Sequence, residues 1–171
     1  MSDAGTQPVC LSCDLDNGPF QCRTKGRLDI GRLAKTWLEH QRLSRGSRPD
    51  RERAEALFWA WTCLESLTEC APDTALDVIL GALETADQDS TVDALAAGPM
   101  EDLIARNGEQ VIRRIEEEAW RDHDVRKLLL GVWSQGNDET EIWQRVLRAR
   151  EGKRPPWMSI KTKRRTKTGK T

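Results

Sequence analysis

From Ile30 onward the apolar residues of this chain return every third or fourth position, and that spacing restricts it to helices. In "LDIGRLAKTWLEHQRL", Ile30, Leu33, Ala34, Trp37 and Leu38 form one stripe. "DRERAEALFWAWTCLESLTEC" places Ala54, Leu57, Phe58, Trp61, Leu64 and Leu67 on one face, with Asp50 after Pro49 as the expected N-cap. In "APDTALDVILGALETA", Pro72 suits a first turn, Asp73 meets the positive end of the dipole, and Leu76, Ile79, Leu80 and Leu83 face inward. "EQVIRRIEEEAW" turns Val111, Ile112, Ile115 and Ala119 inward. "DVRKLLLGVW" and "ETEIWQRVLRAR" complete the set, with Asp138 and Glu141 spaced as a capping box.

No segment alternates with the two-residue period of a half-buried strand. The expected class is all-α: a compact bundle of seven or eight short helices, with pairs stacked as in a helical-repeat protein or crossed as in an irregular orthogonal bundle. The expected layout is a loose, Cys-containing segment over 1–26, one helical domain over 27–151 and a basic tail over 152–171. A chain of 171 residues suffices for one domain with a real core.

The stretch "AAGPMEDLIARNGEQ" reads as helix punctuation. Gly98 is the expected N-cap and Pro99 the first helical residue, which puts Glu101 at the third position, facing free amides. Gly108 would end that helix.

From this stretch to the last helix the sequence resembles a bacterial domain family of unknown function. The match is carried by Gly98, Pro99, Glu101, Gly108, Glu116, Ala119, Gly131, Val132, Trp133, Trp143 and Val146, and it covers roughly residues 54–150. The resemblance implies a helical fold and no catalytic residue.

Charge is strongly segregated. Between Ala54 and Ala105 there are eleven Asp and Glu and no Lys or Arg, whereas residues 23–53 carry ten basic and four acidic side chains. The tail from Gly152 has eight Lys and Arg and no acid; without it, 19 basic and 28 acidic groups leave the body at −9. Such separation speaks to partners rather than to fold. No apolar run approaches the roughly 20 residues that span a bilayer, and no secretory signal is visible, so a cytoplasmic protein with its five Cys reduced is expected, with no membrane contact.

Cys10 and Cys13, with Cys22 beyond, are weak metal candidates; a fourth ligand at matching spacing is missing. Cys63 and Cys70 stand about 10 Å apart along a helix, too far to share a disulfide or one metal ion. The triplet Glu116, Glu117 and Glu118 reads as a solvated helix face, and neither His40 nor His123 sits in a nucleophile motif. No catalytic residue and no cofactor are expected.

Trp37, Trp61, Trp133 and Trp143 fall at core-compatible positions, leaving Trp59 or Trp120 as a partly exposed partner anchor. The expectation is a non-enzymatic protein-interaction module. An acidic helical surface around Asp87, Asp89 and Asp93, with Trp59 and Trp120, would bind a basic protein partner as an adaptor or an immunity-like inhibitor does. The alternative is phosphate binding through the tail, by Lys153, Arg154, Lys161, Lys163, Arg164, Arg165 and Lys167, with Trp157 stacking on a base.

Overall fold

The computed structural model describes residues 22–24, 27–87 and 89–158. It opens with two short antiparallel strands, β1 (Arg23–Thr24) and β2 (Arg27–Leu28). Eight α-helices follow among the described residues: α1 (Ile30–Ser44), α2 (Arg48–Glu55), α3 (Phe58–Cys70), α4 (Pro72–Thr85), α5 (Asp89–Leu95), α6 (Glu101–Arg121), α7 (His123–Leu130) and α8 (Glu141–Arg150). A π-helical segment, Ala96–Met100, lies between α5 and α6. The class is all-α. No helix among the described residues is long and apolar enough to cross a membrane.

Local chemistry explains most helix starts. Asp29 caps α1 by accepting from the Arg32 amide at 2.9 Å. Ser47, not Asp50, is the N-cap of α2; Asp50 is the third helical residue and accepts from the Ser47 amide at 3.1 Å, closing a capping box around Pro49. Pro72 and Asp73 open α4 as their positions predict. The cap of α8 is Thr140, whose hydroxyl accepts from the Trp143 amide at 3.2 Å, so the expected Asp138–Glu141 box does not form.

The bundle has two halves that meet along α4. Helix α1 packs on α2, α3 and α4; α6 packs on α7 and α8; α4 and α3 touch α6. On α4, Ala75, Leu76, Val78, Ile79 and Ala82 are fully buried. The predicted stripe of α6, Val111, Ile112, Ile115 and Ala119, lies at 0–1% exposure. Cys22 joins the same core and its carbonyl accepts from the Asp29 amide at 2.9 Å, tying the strand pair to α1.

The punctuation reading of Gly98 to Gly108 does not hold. Pro99 sits inside a helical path, where the wider π turn accommodates a residue without an N–H; the Glu101 amide donates back to Ala96 and Gly98 carbonyls. Helix α6 also runs through Gly108, with one kink at Asn107 (φ −133°, ψ 24°). Gly108 is needed for packing instead: a Cβ there would lie 2.5 Å from Ile142 Cγ2 on α8.

Candidate interaction site

Four of the eleven acids in the 52-residue acidic stretch pair with cations from later helices. Arg106 pairs with Glu69 at 2.9 Å, Arg114 reaches Asp73 and Asp77, and Lys127 holds Asp89 at 2.5 Å. The expectation of an uncompensated acidic surface is corrected to that extent. Asp87 and Asp93 remain exposed and make no ion pair among the described residues. Asp87, Asp89 and Asp124 line a small cavity at the corner of α4, α5 and α7, and the Lys127 ammonium also feels Asp93. Three carboxylates, Asp89, Asp93 and Asp124, therefore act on Lys127, while Asp87 also borders a cavity beside Lys35 and Arg42. A hydrogen bond from Lys127 holds the Asp89 carboxyl below its ordinary pKa. Asp124 was missed from sequence, because only the fold brings α7 against α5.

Helix α5 divides this corner from a larger cleft of about 360 Å³ between α1, α3 and the start of α6. Its walls include Trp37, Trp61, Leu64, Ala97 and Pro99. Glu65 and Asp102 also line it, and neither makes a hydrogen bond or ion pair among the described residues. Two arginines reach the same cleft with their donors engaged elsewhere, Arg45 on the Ser90 carbonyl at 2.8 Å and Arg106 on Glu69.

A second cavity, about 630 Å³, opens between the kink of α6 and the start of α8. Glu101, 9% exposed, lies at its base, where its carboxylate accepts from the Trp133 amide at 2.9 Å and from the Gln135 side chain. That clamp fixes a loop in which Gln135 has φ +50° and Trp133 is 76% exposed. Trp133 is thus not a core residue: α7 ends at Leu130, the helical phase is lost, and Val132 takes the buried position. The turn formers of "GVWSQGND" are the sequence signal that places Trp133 in a loop.

A profile for a family of unknown function, DUF6869, matches residues 47–154. The chain belongs to that family. No curated protein and no solved structure matches it. The DUF6869 region starts at the N-cap of α2 and ends past α8, so both cavities and the acidic corner fall largely within it, while α1 contributes one wall from outside.

Just beyond the DUF6869 match, the chain turns back onto α6. The Trp157 indole donates to Glu116 at 2.6 Å, and Arg113 lies 4.6 Å over its ring. Glu116 is 4% exposed, contrary to the solvated face expected for that triplet, because Arg145 of α8 reaches it. Among the tail cations, Lys153 pairs with Glu151 and Arg154 lies 5.6 Å over the Trp120 ring. Lys161, Lys163, Arg164, Arg165 and Lys167 lie outside the described residues.

The expected anchors are not brought to the acidic corner. Trp59 is half-buried beside Arg32, and Trp120, 40% exposed, faces Arg154. Cys10 and Cys13 lie outside the described residues; Cys22 is a buried free thiol. Cys70 is disulfide-bonded, which corrects the expectation of five reduced cysteines. On α1, His40 Nδ1 is buried without a hydrogen-bond partner among the described residues, and burial lowers the pKa of the ring.

Proposed function

We propose that this domain is a non-enzymatic protein-interaction module whose acidic helical surface holds a basic partner, in the manner of an adaptor or an immunity-like inhibitor. The observation that carries the reading is the corner where Asp89, Asp93 and Asp124 act on Lys127 and Asp87 lines the same small cavity, with Asp87 and Asp93 in no ion pair among the described residues. An exposed excess of one sign accelerates encounter with the opposite sign and weakens as salt screens it, over about 8 Å at physiological strength. Phosphate binding by the tail is the lesser reading, since Trp157 and Lys153 are already engaged within the chain.

The test is capture of the native partner by the full chain and by the Asp87→Lys/Asp93→Lys/Asp124→Lys variant, at low and high salt. The variant should lose most capture with its helicity intact, and capture by the natural chain should fall with salt. Capture by the variant equal to that of the natural chain would remove the charge argument.

A further inference from the structure

We infer that the cleft between α1, α3 and the start of α6 is a receptor for one arginine side chain of the partner. The inference rests on the interaction reading above and names the group recognised.

The cleft has the two parts that an arginine requires. Its apolar walls, Trp37, Leu64 and Pro99 among them, suit a three-carbon stem. Trp61 is half-buried there and offers an aromatic surface, on which a guanidinium stacks better than an ammonium does. Glu65 on α3 and Asp102 on α6 supply two carboxylates from two helices, both without a partner among the described residues. Planar guanidinium donors match such acceptors in pairs.

The charge balance supports the same occupant. Arg106 is neutralised by Glu69, and Arg45 spends a donor on a carbonyl. With Glu65 and Asp102 counted against Arg45, the cleft keeps an excess of one negative charge. The acidic corner lies on the other side of α5: Asp89 and Asp93 are one helical turn apart, while Ala94 and Ala97 face the cleft.

Gly98 gives a way to close it. It lines the cleft, its φ is not positive, and a Cβ built on it meets nothing within 4 Å beyond its chain neighbours. Gly98→Leu should narrow the cleft; because Pro99 disfavours a helical residue with a Cβ before it, the unfolding midpoint of this variant is measured beside the binding.

The experiment titrates the isotope-labelled full chain with acetyl-Gly-Gly-Arg-Gly-Gly-amide and with its citrulline counterpart, following the Trp61 indole signal. A single arginine is expected to bind in the millimolar range, on the order of 4 kcal/mol. The Arg peptide should shift the signal saturably, and citrulline, isosteric but neutral, should bind about tenfold more weakly. Gly98→Leu should abolish the shift. Glu65→Gln/Asp102→Asn, at positions exposed or half-exposed and unpaired among the described residues, should weaken it about tenfold with the unfolding midpoint unchanged.

Equal binding of the two peptides, or undiminished binding by Gly98→Leu, overturns the pocket. A Trp61 shift that grows with protein concentration alone marks a second copy as the occupant and overturns it too. These outcomes are separable from the parent reading, which falls only if partner capture survives the triple charge reversal at the corner.

Discussion

Glu116 on α6 and Arg145 on α8 meet fork to fork, Nε to Oε1 at 2.9 Å and Nη2 to Oε2 at 2.6 Å. Their side chains are 5% and 18% exposed, so the pair spans the α6–α8 contact largely out of water. Trp157 adds a third donor to the same carboxylate and pins the start of the tail. Removing one member leaves the other charge buried without its partner. Arg145→Met should therefore destabilise the domain by roughly 3 kcal/mol in urea unfolding, and Glu116→Gln by somewhat less, because the amide retains one acceptor. The double substitution should cost less than the sum; strict additivity would show that the two do not act as a unit.

The same site gives a pH dependence. Burial, the largest single effect on Glu116, raises its pKa, but hydrogen bonds from Arg145 and Trp157 and the charges of Arg145 and Arg148 outweigh it. The net shift is downward from the ordinary 4.5. A carboxyl with a depressed folded pKa contributes stability that is complete above its unfolded value and is lost as pH falls through the folded one. Stability should fall on acidification below about pH 4.5, and the fall should be shallower in Glu116→Gln. An identical acid limb in both proteins would assign the loss to other carboxylates.

Gly98 and Gly108 lie ten positions apart and should respond differently to alanine. At Gly98 the added methyl meets nothing beyond its chain neighbours, but Pro99 disfavours a helical residue with a Cβ before it, which offsets the gain in helix propensity, so Gly98→Ala should change stability by less than about 0.5 kcal/mol in either direction. At Gly108 the methyl lands 2.5 Å from Ile142 Cγ2, and Gly108→Ala should destabilise by about 1–3 kcal/mol. Ile142→Ala removes the obstructing group and should recover part of that loss. Calorimetric midpoints for the four proteins decide both expectations.

Glu101 holds the loop that carries Trp133. Glu101→Ala leaves the Trp133 amide and the Gln135 side chain without their acceptor and should destabilise by about 2 kcal/mol. The effect should be local: amide exchange should speed up over residues 131–137 more than in α4, and Trp133 emission should lose anisotropy. Uniform acceleration across both regions would argue against a loop clamp.

The chain's own pattern determined the all-α class, the buried faces of α1, α4 and α6, and the start of α4 at Pro72, because each depends on neighbours three or four positions away. Asp87, Asp89 and Asp93 were also legible as a shared acidic run, although their nearness to Asp124 and Lys127 was not. Tertiary structure decided the rest. Pro99 looks like a helix start and Gly108 like a stop in isolation, yet the helical path continues through both, because a π turn accepts the one and close packing on Ile142 uses the other. Glu116 becomes buried only when α8 delivers Arg145, and Glu101 gains its task only when the loop after α7 folds back over α6. The cleft that holds Glu65 and Asp102, unpaired among the described residues, is made by α1, α3, α5, the π segment and α6 together. Helix periodicity is a local property of the chain, whereas burial of charge and the shape of a cleft depend on which helices cross.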